Sequence, residues 1–257
     1  MKKRKHVIII GGGLGGLSSA ILLQLAGWQS TIIEKNSHLG GKLHQIKFQT
    51  HHFDFGPNTI TMPEVFQSIP LSAGENPDDY FQFQKLIKHT KNSFSDGAHL
   101  YFSSDHKEMR EELGRLHGPS GKNFDSYLME VEKLILLAQN YFLNRTFSSW
   151  RDFISLPLMK AMISAKPLQS LDQFHKQYFS DQRIRNAFNR YATYIGSSPY
   201  SAPATFGLIG HLEFSDGVYF TKGGNYQIAR TRDGATGKKD WCYDSYKRRS
   251  SEGLCDG

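Results

Sequence analysis

The chain has 257 residues, 39% of them hydrophobic, and a formal charge of +7 at pH 7, enough apolar material to bury a core in one large domain or two small ones. It contains no run of eighteen or more apolar residues, and its basic start reaches Gly11–Gly13 before a signal-peptide core or a membrane span could form, which predicts a cytoplasmic protein. Beyond the basic run Lys2–Lys5 the positive charges are mixed with acids and are not interleaved with stacking aromatics, so no nucleic-acid partner is expected; a solvated surface, or help in docking to anionic membrane, is.

His6–Ile10 is a continuous, mostly β-branched run, the pattern of a buried parallel strand, and the glycines end it. Leu17, Ile21 and Leu25 recur every fourth residue and predict a helix from Leu14 to Ala26, with Gly27 suited to its C-terminal cap. Ser30–Glu34 returns as a second strand. In this strand–helix–strand unit Gly11 permits a tight turn, Gly13 lets backbone N–H groups approach a pyrophosphate, and Gly16 allows the helix to pack close to the strand. The phosphates then sit at the positive helix N-terminus, where Leu14 begins the first turn. Glu34 ends the second strand, where a carboxylate accepts hydrogen bonds from ribose hydroxyls and repels a 2′-phosphate, so NADP is not expected. These residues alone do not separate NAD from FAD.

Further along, Phe81, Phe83, Asn92–Phe94 and His99–Phe102, with Asp96-Gly97 as a turn signal, predict short antiparallel strands. Asp105 and Glu108 resemble a capped helix start. Phe124, Tyr127, Leu128, Val131, Leu134, Ile135, Ala138 and Tyr141 form a sustained helical stripe, and Ile184, Phe188, Tyr191 and Ile195 form another. Between them Trp150–Met162 is amphipathic. It is read as core packing rather than a lipid-facing stretch, because Pro157 interrupts its stripe. The fold class expected is therefore α/β: an incomplete FAD/NAD(P)-binding Rossmann-like domain over 1–70 and an inserted α+β substrate or membrane-associating domain over 71–215, largely helical from 105. A return segment over 216–230 precedes a tail over 231–257. That tail has no Ile, Val, Met or Phe and a single Leu, and it is expected to stand outside the fold. It also holds both cysteines, Cys242 and Cys255, leaving the rest without a thiol for a disulfide or a soft metal site.

After the second strand come Glu34-Lys35, Leu39-Gly40-Gly41-Lys42 and Phe53-Asp54-Phe55-Gly56-Pro57-Asn58. Here the sequence resembles the flavin-containing amine oxidase and phytoene desaturase superfamily, and the resemblance implies FAD. It adds Lys35, Gly40, Gly41, Lys42, Gly56, Pro57 and Asn58 to the cofactor-binding residues Gly11, Gly13, Leu14, Gly16 and Glu34. Lys42 stands where the family more often has arginine and would act as a point charge without a bidentate fork. The stretches GGKLHQIKFQTHHFDFGPNTITMPEVF, YATYIGSSPYSAPATFGLI and GVYFTKGGNYQIA are similar to bacterial-type carotenoid desaturases, particularly the dehydrosqualene (diapophytoene) group.

That resemblance spans Lys5 to about Arg230. It implies that an acyclic C30 or C40 isoprenoid loses a hydride to flavin N5 and a proton, with FAD carrying the redox step. It also implies an apolar isoprenoid substrate and peripheral attachment to the inner face of the cell membrane. Family members run to roughly twice this length, so the chain is expected to be truncated, to hold FAD poorly and to turn over little substrate. An amine or porphyrinogen oxidase and a non-catalytic nucleotide-binding module are the alternatives. The catalytic residues stay unknown. Asp54 and Tyr219 lie near the family motifs, but His51 and His52 are neighbours in a strand and face opposite sides. There is no GxSxG or HExxH, and His44, His89, His99, His106 and His117 lack ligand spacing, so no metal site is expected. Asp78-Asp79 reads as a solvated turn.

Overall fold

In chain order the strands are β1 (His6–Ile10), β2 (Gln29–Glu34), β3 (His44–Phe48), β4 (His51–Phe55), β5 (Phe83–Leu86), β6 (Lys88–Ser93), β7 (His99–Ser103), β8 (Val218–Thr221) and β9 (Tyr246–Arg248). The helices are α1 (Leu14–Leu25), α2 (Pro63–Ser72), α3 (His106–Leu116), α4 (Gly118–Ala138), α5 (Leu156–Ser164), α6 (Leu171–Lys176), α7 (Gln182–Asn189) and the single turn α8 (Leu208–His211). The computed structural model describes residues 5–143, 145–149, 152, 155–229 and 246–248. Two compact units share the chain, divided between Lys85 and Leu86 and again between Val218 and Tyr219.

The first unit begins with the expected strand–helix–strand. β1 pairs in parallel with β2 from His6 opposite Gln29 to Ile10 opposite Ile33. Gly27, at φ +84°, closes α1 with its N–H on the Gln24 carbonyl, a left-handed position that glycine takes without a Cβ clash. Leu17 and Ala20 of α1 pack on Ile32 and Ala229 in a small core. β3 and β4 make an antiparallel hairpin in which His44, Ile46 and Phe48 face Phe55, Phe53 and His51. Alternation puts these six residues on one face. Segment 71–85, assigned by sequence to the inserted domain, clusters with the first unit instead, because β5 pairs with β8 and the Lys222 N–H donates to the Gln82 carbonyl at 2.9 Å. Tyr219 and Ile60 exchange both backbone hydrogen bonds at 2.8 Å.

The tail expected to stand outside the fold is corrected at three residues. Tyr246–Arg248 form β9 and pair in parallel with β2, Ile32 opposite Tyr246. The open edge of β2 offers unpaired backbone groups to any extended segment, whatever its side chains. Residues 231–245 and 249–257 lie outside the described residues.

The second unit is built on one large core. β6 and β7 form the expected hairpin, with Gly97 at φ +82° in its turn. Asp105 caps α3, its carboxylate accepting from the N–H groups of Lys107 and Glu108 at 2.8 and 3.0 Å, a cap worth about 1 kcal/mol. The predicted stripe on α4 buries Phe124, Tyr127, Val131 and Leu134 in one cluster with α3, α6 and α7 residues, and Ile135 is buried as well. α4 stops at Ala138, and Tyr141 falls in a π-helical turn over Gln139–Leu143. Pro157 does not interrupt its stripe. It occupies the first turn of α5, just after the cap Ser155, where the missing N–H deprives the helix of nothing. Only Leu158 and Ala161 of α5 are buried, while Leu156 and Ile163 are 75% and 76% exposed. The core reading therefore holds for one side of the helix only. Trp150, Arg151, Phe153 and Ile154 lie outside the described residues.

Candidate functional site

Two glycine clusters from separate loops meet at the start of α1. The Gly11 N–H donates to the Ile33 carbonyl at 2.8 Å, so the chain leaves β1 still tied to β2. A Cβ on Gly16 would overlap the Gly11 carbonyl oxygen, so only glycine lets the helix seat here. Gly13 precedes α1 without a side-chain cap, and the first turn from Leu14 carries no acidic residue. A Cβ on Gly13 or Gly15 would meet nothing within 4 Å. The start of α1 thus has room beside Gly13 and Gly15 and no acidic residue in its first turn, which fits a pyrophosphate at the helix N-terminus.

The second cluster closes on the first from Gly40. Its N–H donates to the Gly12 carbonyl at 2.8 Å, and Gly13 and Gly40 form a parallel bridge. A Cβ on Gly41 would lie 3.2 Å from the Gly13 Cα. His44 Nδ1 lies 3.1 Å from the Gly41 carbonyl, and its ring stacks on His38 at a centroid distance of 4.3 Å and meets Phe55 tilted at 4.5 Å.

Glu34 is only 6% exposed. Its Oε2 accepts the Gly12 N–H at 2.6 Å, and its Oε1 accepts both the N–H and the Nδ2 of Asn36 at 2.8 Å. The Asn36 N–H, followed by that of Gly12, holds this carboxyl below the usual carboxylate range. A carboxylate has about four acceptor positions. With at least three filled, Glu34 braces the glycine turn.

The remaining predicted residues divide. Gly56, at φ +97°, sits where a Cβ would overlap the Lys42 carbonyl oxygen, and the Pro57 carbonyl accepts from Asn225 Nδ2 at 3.0 Å. Gly56 is thus held close to the glycine-pair loop at Lys42, and Pro57 is tied to Asn225. Lys35, Lys42 and Asn58 are exposed. His51 and His52 occupy opposite faces of β4 and are both exposed. Among the described residues no three His, Cys, Asp or Glu side chains converge as a metal site.

Sequence reasoning passed over Asn225 and the use made of Asp54. Asn225 is fully buried, and its N–H donates to Asp54 Oδ2 at 2.6 Å across 171 residues of sequence. A separation of that size leaves no periodicity or spacing signal.

Comparison with known proteins places these features. Residues 9–69 match the family model of the NAD(P)-binding Rossmann-like domain. The chain is similar to 4,4′-diapolycopene oxygenase of Methylomonas sp., 34% identical over 231 residues, 89% of this chain and 46% of that protein. It is also similar to carotenoid 3,4-desaturase of Haloarcula japonica, 32% identical over 86% of this chain and 45% of the relative. With the 4,4′-diapophytoene desaturase of Staphylococcus aureus the identity is 30% over 87% and 45% respectively. The chain thus spans about half the length of the curated relatives it matches. Among solved structures, a triple mutant of putrescine oxidase superposes with a TM-score of 0.56 at 15% identity, covering 88% of this chain and 47% of that one. Wild-type putrescine oxidase bound to putrescine gives 0.53 at 15% identity over the same shares. The resemblance read from the residues and the α/β, Rossmann-like fold class are both borne out.

Proposed function

We propose that this chain, a relative of the carotenoid and diapophytoene desaturases, forms the FAD-binding start and the substrate domain of an FAD-dependent oxidoreductase that desaturates an acyclic C30 or C40 carotenoid precursor. The observation that carries the reading is the junction of Gly11–Gly16 with Gly40–Gly41 at an uncapped helix start, with Glu34 beside it. Bound there, FAD would supply the acceptor for the hydride. The chain's own residues do the holding. Backbone N–H groups from Gly13 and Leu14 onward bind the pyrophosphate, Glu34 takes a ribose hydroxyl and disfavours a 2′-phosphate, and Gly40, Gly41 and Gly56 let backbone approach where a Cβ would intrude. Lys35, Lys42, Pro57 and Asn58 complete the cofactor-binding set by resemblance. The second unit is assigned to the apolar isoprenoid.

Peripheral attachment to membrane belongs to the same reading. No helix among the described residues is long and apolar enough to cross a bilayer. α5, however, turns Leu156, Met159, Met162 and Ile163 outward beside Lys160, which suits an interfacial helix. A cavity of about 380 Å³ lined by Leu137, Tyr141, Leu156, Pro157, Lys160 and Ala161 opens next to it.

On its own the 257-residue chain is assigned loose FAD binding and little turnover. Ile10 of β1 is 88% exposed and Phe48 of the β3–β4 hairpin 63% exposed. Apolar strand faces of this kind call for cover by further polypeptide, such as the half of each relative that this chain does not match. Coexpression with a dehydrosqualene or phytoene synthase, followed by pigment analysis and a visible flavin spectrum of the purified chain, tests the assignment. Weak, dialysable flavin with little pigment is expected. Tightly held flavin with abundant carotenoid would overturn the loose-binding part, and no affinity for FAD at all would overturn the whole reading.

A further inference from the structure

The geometry points to Asp54 and Asn225 as positioning residues for the cofactor loops: a latch, anchored on the buried Asn225, that fixes the Gly56–Asn58 loop and the Gly223–Ala229 segment in the places FAD requires. This rests on the FAD reading above and adds to it two residues that contact neither the glycine turn nor Glu34.

Every polar group of Asn225 but its carbonyl is committed to the latch. Its N–H donates to Asp54 Oδ2 at 2.6 Å, its Nδ2 donates to the Pro57 carbonyl at 3.0 Å, and its Oδ1 accepts the Thr221 N–H at 2.9 Å. Asn225 and Thr221 are both fully buried, so the bond between them is made away from water, and those to Asp54 and Pro57 are partly buried; losing a partner leaves a costly orphan on Asn225. Asp54 is the penultimate residue of β4, two residues before Gly56, and its other oxygen fills the space beside Gly224: a Cβ there would come within 2.7 Å of Oδ1, and Gly224 lies at φ +106°. Glycine is thus required at 224 on two counts, steric and torsional. Four residues beyond Asn225, Ala229 belongs to the small core with Leu17, Ala20 and Ile32, and a Cβ on Gly40 would lie 2.7 Å from the Ala229 Cβ. The latch therefore links, through packed atoms, the loop at Gly56–Asn58, the glycine pair at Gly40–Gly41 and the helix whose start takes the pyrophosphate.

A charged acceptor on a buried N–H contributes more than an ordinary hydrogen bond, so breaking it displaces the loops without touching any group assigned to the cofactor. The test titrates FAD into the full 257-residue chain by quenching of flavin fluorescence, with D54A, D54N and N225D alongside. D54N keeps an oxygen facing the Asn225 N–H. N225D sets an acceptor against the Pro57 carbonyl. D54A and N225D should raise the dissociation constant about tenfold or more, and D54N should stay within about threefold of the parent. Amide exchange should quicken at 56–60 and 225–229 and stay unchanged in the core of the second unit. D54N and N225D are close to isosteric, so their contrast decides the matter even if D54A fails to fold. Equal FAD affinity in the parent and N225D, or equal loss in D54N and N225D, would overturn the latch while leaving the FAD reading in place. A parent chain with no FAD affinity would overturn both.

Discussion

One methyl group distinguishes two kinds of glycine in the site. Gly16 cannot accept a Cβ, because the Gly11 carbonyl oxygen is already there, whereas a Cβ on Gly13 meets nothing within 4 Å. Gly16→Ala should therefore lower the thermal midpoint of the chain and weaken FAD together, by the 1–3 kcal/mol typical of an overpacked contact, about. Gly13→Ala should leave the midpoint in place and weaken FAD alone, measured by calorimetry and by flavin titration. The glycine spacing was legible in the sequence, since a dinucleotide turn needs it. Glu34 was legible only in part. Its position at the end of β2 gave its direction, but its bonds to Gly12 and Asn36 depend on the fold of the turn. Because its folded pKa lies below the ordinary value, the stability that Glu34 lends the turn is present above that value. It is lost as the pH falls through the folded pKa. Amide exchange at Gly12 should accelerate in that acid range and not above it; exchange independent of pH, after correction for the intrinsic rate, would remove Glu34 from this role.

At the scale of elements, periodicity identified what local physics determines. β1, α1, β2, the β6–β7 hairpin and the long stripe on α4 all follow from side-chain spacing and turn residues. α5 shows where spacing misleads. Pro157 looks like a breaker in a stripe, but a proline in a first turn is a start signal, and Ser155 two residues earlier caps the helix, its Oγ 3.3 Å from the Leu158 N–H. β9 was illegible for the opposite reason. Tyr246–Arg248 pair through backbone to the free edge of β2, which a composition argument cannot see. The exposed side of α5 yields a prediction of its own. Met159→Glu with Ile163→Glu should reduce cosedimentation with anionic vesicles several-fold and leave the unfolding midpoint within about 0.5 kcal/mol, since both residues are exposed. Unchanged vesicle binding would detach α5 from the membrane reading.

The whole molecule carries most of its core in the second unit. Leu100, Phe102, Phe124, Tyr127, Phe174, Phe188 and Phe214 lie in one cluster there, against Leu17, Ala20, Ile32 and Ala229 in the first. Two histidines are enclosed in or against that larger core. Burial pushes His175 from 6.5 down to about 4, its Nδ1 lying 2.8 Å from Asn189 Oδ1. Burial, together with the nearby Arg190 guanidinium, lowers His89 to about 4 as well. Both are neutral when folded and take up a proton when unfolded. Stability should therefore be full above about 6.5 and decline from there toward pH 4, by up to about 1.4 kcal/mol per histidine for each pH unit. Urea midpoints followed by circular dichroism should fall between pH 6.5 and 5; a flat profile would contradict the burial of these rings. Neither histidine could be assigned from sequence, because the aromatic cage around His175 is drawn from α4, α6 and α7. The central claim is that the joined glycine loops are a flavin dinucleotide site, and the direct test is equilibrium titration of the purified chain and its Gly13→Ala variant with FAD and, separately, NADP. Saturable binding of FAD in preference to NADP, weakened by Gly13→Ala at unchanged stability, is predicted; FAD binding absent from the parent chain, or indifferent to Gly13→Ala, would contradict it.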